Sequence, residues 1–223
     1  MIGTWPCPGR NGPVEEFAVA IDRARRRRLL IVPPLLADMN RMRRLLVSTM
    51  RALDTYGIDS FLPDLPGTNE SLEPFLGQSL HGWRGAMARA AQHFAASHVL
   101  AVRGGVLIFP NALPGWVFEP VSGPTLLRQM VRARVIAARE AGRHEDSAAL
   151  IETGRTEGIM LAGHDFGPAL IAGLESARPL DEGQREIRQS ELGGAALWLR
   201  AEPGDDPAQT ARLAAIIAAE ITA

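Results

Sequence analysis

Apolar residues along the first half of the chain gather in short continuous runs rather than alternating ones. Leu29 to Leu36 (LLIVPPLL), Ile58 to Pro63 (IDSFLP) and His98 to Val102 (HVLAV) have the length and content of strands buried on both faces. Between them the period changes to that of a helix. Met42, Leu45, Leu46, Met50 and Leu53 recur at helical spacing, the neighbouring arginines lie mostly on other faces, and Gly57 stands where a C-terminal cap belongs. A second helix is predicted in SLHGWRGAMARAAQHFAAS, with Trp83, Met87, Ala90 and Phe94 on one side. GWVFEPVSG predicts a fourth strand, and the pattern from Pro124 to Gly154 is helical. EGIMLAGHDFGPALIAGLESA predicts a short strand, a turn and a helix, and GAALWLRAEPG a last strand. A closing helix is expected from Asp206–Pro207 to the chain end, an N-cap residue followed by proline at the first helical position. Strands alternating with helices through short Gly/Pro turns predict an α/β fold, a mostly parallel sheet covered on both faces. The polar stretch Ala141 to Glu157 breaks the alternation, so residues 124–157 are expected to form a lid or small helical insertion within one domain spanning 1–223.

Composition changes this picture little. The 223 residues are 46% apolar and 22% charged, ordinary for a globular domain with a sizeable core. A net charge of −1 removes the general electrostatic argument for nucleic acid or an anionic membrane as partner. Arginine dominates the basic residues, and the one charge run is Arg23 to Arg28 (RARRRR). Without interleaved aromatic residues it reads as a solvated approach to the next strand rather than a phosphate-binding patch. The single cysteine, Cys7, cannot close an internal disulfide, which points to a reducing cytoplasm. The N-terminus lacks the pattern of a signal peptide, and no apolar stretch reaches membrane-spanning length.

The candidate chemistry centres on SHVLAVRGGVLIF. A strand that ends in a small-residue turn and leads into a helix is where α/β-hydrolases carry G-x-S-x-G, the central side chain projecting above the sheet. Here the five positions are Ala101, Val102, Arg103, Gly104 and Gly105. The flanks are small, but the nucleophile position holds arginine, whose protonated, delocalised nitrogens cannot attack an acyl carbon. No P-loop or dinucleotide-binding glycine pattern is present. The pair His164/Asp165 lacks further ligands at readable spacing, so neither a metal nor a cofactor is expected.

In order along the chain, IVPPLLADMNRMRRLL, FLPDLPGTNES, HGWRGAMARAA, VLAVRGGVL, FEPVSGPTLLRQMVRAR and LAGHDFGPALIAGL resemble an exosortase A system-associated hydrolase of the second type. This resemblance implies an α/β-hydrolase-like three-layer sandwich and, by the family's name, hydrolysis in a bacterial exosortase and exopolysaccharide context. By position it implies that the amides of Leu35 and Gly104 line an oxyanion site, beside which Arg103 would serve as a fixed donor to a bound anion. The remaining triad is not recognisable. No histidine follows Trp198, and of the five only His164 is read as standing at a strand-to-helix turn. Glu119 and Asp205 are the acid candidates, read alternatively as an ion-pair partner and a helix cap, and Asp64 is read as stabilising a turn. Ser122 is the alternative nucleophile, read also as an ordinary turn residue. Glu119 is further expected to pair with a buried Arg103. Two functions are then open. One is a silent or atypical member whose elbow cleft binds a small anionic or carboxylated molecule, or a protein of the same export pathway. The other is an esterase or thioesterase with an unrecognised nucleophile.

Overall fold

The computed structural model describes residues 2–9, 12–110, 113–179 and 183–221; parts of the expected apolar run after Arg103 and of the closing helix lie outside them. In chain order the first strands are β1 (Ile2–Gly9), β2 (Gly12–Ile21), β3 (Arg28–Val32), β4 (Asp59–Pro63) and β5 (His98–Val102). They are followed by β6 (Gly115–Phe118), β7 (Ile159–Leu161), β8 (His164–Phe166) and β9 (Arg185–Ile187). The α-helices are α1 (Ala37–Thr55), α2 (Leu80–His93), α3 (Gly123–Glu140), α4 (Ser147–Thr156), α5 (Pro168–Ser176), α6 (Gln189–Leu192) and α7 (Pro207–Glu220).

One seven-stranded sheet runs in the order β1-β2-β4-β3-β5-β6-β9. From β4 to β9 all neighbours are parallel, as βαβ crossovers require. Every residue of β4 and β5 is buried, which explains why these strands read as continuous apolar runs. Successive side chains go to opposite faces. Leu30, Val32, Val99 and Ala101 enter a core shared with α2, α3 and α5, whereas Leu29, Ile31, Leu100 and Val102 enter one shared with α1 and α7. Three layers result. The N-terminal segment, unassigned from sequence, forms an antiparallel hairpin whose β2 pairs with β4. Its first strand carries Pro6 and Pro8, which suit a sheet edge and blur the strand pattern.

One expectation needs correction here. The last strand is β9, not GAALWLRAEPG. Gly193 and Gly194 turn the chain at φ 74° and 69°, and Leu197–Leu199 form a single 3₁₀ turn. Leu197 and Trp198 bury as loop residues, Trp198 edge-on to Phe118, so their apolar surface is covered without a ladder. The region expected to be helical forms two helices, α3 and α4, followed by an antiparallel hairpin of β7 and β8 that joins no larger sheet among the described residues. In this hairpin Ala162 and Gly163 both have positive φ (50° and 82°), the signature of a type I′ turn.

The arginine run is engaged by the protein's own carboxylates. Asp59, fully buried, accepts the backbone N–H groups of Arg23 and Arg25 at 3.0 and 2.8 Å. Asp54 pairs with Arg23 and Arg25, and Arg28 bonds Asp22 and stacks over Phe61 at 4.7 Å. Hydrogen bonds from the Arg23 and Arg25 guanidinium groups hold the Asp54 carboxyl down at about 2, from an ordinary 3.8. A depressed folded-state pKa adds stability above the ordinary value and loses it as pH falls through the folded one. Urea titrations of wild type and Asp54→Asn should therefore converge as pH falls from about 4 to about 2. Parallel stability curves over that interval would contradict the pairing.

Candidate functional site

The site is assembled where β3 and β5 end. After Val32 the chain turns through Pro33 and Pro34, and Leu36 takes φ 61°, ψ −135° before α1 begins. Parallel pairing sets Val32 beside Ala101, so the residues after each strand meet above the sheet. There Arg103 has φ 53°, a left-handed conformation costly for a residue with a side chain. The sharp turn of an elbow is therefore present. Gly105 permits it, because a Cβ there would stand 2.5 Å from the Pro33 carbonyl oxygen. A Cβ on Gly104 would stand 2.7 Å from Leu126 and 3.2 Å from Leu35, so the turn has no room for a side chain there. The elbow leads into a six-residue 3₁₀ helix, Arg103–Ile108, rather than an α-helix.

The guanidinium of Arg103 is immobilised. Its Nε donates to Asp38 Oδ2 at 3.1 Å, one Nη donates to the Glu119 carbonyl oxygen at 3.2 Å, and its plane lies 4.4 Å over Trp198. Arg103 is 8% and Asp38 7% exposed. Burial pushes the Asp38 carboxyl up, and Arg103 and Arg41 draw it back. The partner of Arg103 is thus Asp38, in the first turn of α1, not the carboxylate of Glu119. Glu119 gives Arg103 its main-chain oxygen only, and its side chain accepts the N–H of Gln189 at 2.7 Å at the start of α6.

The other candidates are engaged separately. Ser122 precedes α3 and shares a 2.9 Å hydrogen bond with Thr125. Asp205 pairs with Arg44 at 3.2 Å, whereas Asp206 caps α7 through the N–H groups of Ala208 and Gln209. Asp64 accepts from Arg43 and Asn69 at 2.9 and 2.7 Å and so stabilises its turn. Burial, with Glu16 and Glu73 nearby, pushes the Cys7 thiol up to about 12, so it is no thiolate at neutral pH. The serine–histidine contact that the structure holds, Ser97 with His98 at 3.0 Å, lies at the amino end of β5, away from the elbow. Among the described residues no group of three or more His, Cys, Asp or Glu could hold a metal ion.

Beside the elbow is a cavity of about 190 Å³ lined by Leu35 and Leu36 but not by Arg103 or Gly104. Met39, Leu65, Phe75 and Trp83 make most of its apolar wall, and Asn40, Thr68, Asn69 and His164 its polar one. Most of these polar groups are anchored. Trp83 Nε1 donates to the Pro66 carbonyl (3.0 Å), Thr68 to that of Leu65 (2.8 Å), and Asn69 to Asp64. The side chains of Asn40 and His164, by contrast, bond no described residue. His164 opens β8 rather than a strand-to-helix turn, and its ring stacks on Phe75 with centroids 4.7 Å apart. Residues 124–157 do not line this cavity; the β7–β8 hairpin reaches it instead. Sequence reasoning missed Asp38, Trp198 and the aromatic wall. The run PPLLADMN did contain Asp38 and Asn40.

No family model matches the chain, and no curated protein matches it in sequence. Solved structures do match. A protein described as a hydrolase from Agrobacterium vitis S4 aligns with TM-score 0.57 at 14% identity, over 84% of this chain and 77% of that one. The fold is that of the α/β-hydrolases. The bottromycin epimerase BotH aligns over 98% of this chain and 99% of its own, with TM-score 0.55 and 14% identity. Est1E from Butyrivibrio proteoclasticus, solved with ferulic acid, aligns over 77% and 71% with TM-score 0.52 and 13% identity. At such identities these α/β-hydrolase neighbours establish the architecture and nothing of the reaction.

Replacing Arg103 by serine places a hydroxyl at the elbow but leaves the buried Asp38 with only the longer contact to Arg41 (3.7 Å) as counter-charge. Arg103→Ser is expected to lose about 3–5 kcal/mol of stability and to gain no esterase activity. Ester turnover by this variant would mean that a base meets the elbow after all.

Proposed function

We propose that this α/β-hydrolase-fold protein binds a small molecule and does not cleave esters. The observation that carries this is the place of Arg103. At the elbow, where an attacking atom would stand, a guanidinium is held between Asp38, the Glu119 carbonyl and Trp198. Acyl transfer needs a nucleophile within reach of a base, and the structure offers none at this turn. The ligand belongs in the cavity beside the elbow. No carboxylate or guanidinium lines it, so it suits an uncharged molecule rather than the anion expected from sequence. Such a ligand would lay an apolar face on Met39, Leu65 and Phe75 and exchange hydrogen bonds with His164 and Asn40. That one structural neighbour is described as an epimerase shows that this architecture is not tied to hydrolysis. From the sequence resemblance we further propose that the protein serves an exosortase-linked export system in the cytoplasm of a bacterium, alongside proteins of that pathway. No described helix is long and apolar enough to cross a membrane.

A fluorophosphonate probe with a panel of p-nitrophenyl esters tests the silence, and it should give no labelled serine and no turnover above buffer. Labelling of Ser122, or turnover lost in Ser122→Ala, would establish the competing esterase reading. Thermal shift against uncharged aromatic amides and alcohols tests the cavity, where stabilisation by a hit should disappear in His164→Ala. A hit that His164→Ala leaves unchanged would place the ligand elsewhere.

A further inference from the structure

A second recess lies between α3 and α4, formed by residues that the elbow and its cavity do not use. It encloses about 520 Å³. Val131 and Ile151 form its apolar base, Arg128 and Arg132 one wall, and Ser147 stands at the start of α4. Val131, 3% exposed, belongs to the main core, and the half-buried Ile151 packs against it, so the base is the outer edge of the interior.

The two arginines have no carboxylate partner among the described residues. Arg134, on the same helix, is held by Glu145 at 2.8 Å, and Arg155, on α4, by Glu152 and Glu175. Arg128, by contrast, donates only to the Thr125 hydroxyl at 3.2 Å, and Arg132 bonds no described residue through its side chain. Four residues apart, they sit one turn from each other on a single helix face, about 6 Å along the axis. Two like charges at that spacing repel, so the pair is unfavourable until an anion comes between them. Two guanidinium forks side by side match the oxygens of one carboxylate. The Ser147 hydroxyl, unbonded to the described residues, adds a neutral donor. Asp146 already caps α4 through the Ala149 N–H, so the helix end is not the anchor.

We propose that the α3–α4 groove binds a singly charged anionic amphiphile, a medium-chain carboxylate. Its head lies between Arg128 and Arg132 and its chain over Val131 and Ile151. Charge alone would suit any anion and an apolar base any oil, but the two together select a molecule that has both.

Isothermal titration with decanoate is the test, with decanol and acetate as single-feature controls. Decanoate should bind saturably, and each control at least about tenfold more weakly. The double variant Arg128→Gln/Arg132→Gln should weaken decanoate about tenfold or more, while Arg139→Gln, on the same helix but outside the groove, should not. Ile151→Ser should also weaken it, and the methyl resonances of Val131 and Ile151 should move on binding. Equal affinity for decanol, equal affinity for acetate, or unchanged binding in the double arginine variant would each overturn the proposal. So would binding confined to anionic vesicles with none to monomeric decanoate.

Discussion

The ion pair of Arg103 with Asp38 is the constraint around which the carboxyl end of the sheet is organised. A guanidinium inside a protein must be compensated, and here three elements supply the compensation. Asp38 comes from α1, the carbonyl of Glu119 from the end of β6, and the face of Trp198 from the segment after α6. None of these can shift without exposing charge to apolar surroundings. The pair therefore fixes the start of α1 relative to the β5 turn, and Trp198, already packed into the core beside Phe118, closes over the guanidinium.

The same interaction stands between two regions at the carboxyl end of the sheet. On one side of the elbow the guanidinium and its partners fill the space with compensated charge. On the other, the Leu35–Leu36 turn opens onto a cavity whose lining is neutral, with His164 stacked on Phe75 and its ring nitrogens uncommitted. The strained turn at Arg103 carries a side chain held by Asp38, the Glu119 carbonyl and Trp198. Backbone strain of this kind persists only where surrounding contacts over-determine it, and here the ion pair, the carbonyl bond and the stacking together do so.

Much of the architecture could be read from the chain. β3, β4 and β5 announced themselves as continuous apolar runs because both their faces are covered, and α1 and α7 by apolar residues at helical spacing. What escaped was set by tertiary context. The ALWL run looks like a strand but satisfies its burial as a 3₁₀ turn, whereas Arg185–Ile187, with two charged residues, pairs as the true edge. At the site, Arg103 was legible as an anomaly in an elbow-like turn. Its partner was not, since Asp38 lies 65 residues earlier and is brought close only by the parallel pairing of β3 with β5. Glu119 was the reasonable guess from strand ends alone, yet its side chain is taken up by the N–H of Gln189.

A double-mutant cycle on Arg103 and Asp38, read by chemical denaturation, addresses the account most directly. If the pair is a buried lock, Arg103→Met and Asp38→Leu should each be strongly destabilising, since the first leaves Asp38 only the 3.7 Å contact to Arg41 and the second leaves the Arg103 guanidinium without a carboxylate. The double variant should recover much of the loss, with a coupling energy of at least about 2 kcal/mol. Losses that simply add would show that the two groups do not hold each other, and the elbow would then have to be explained in another way.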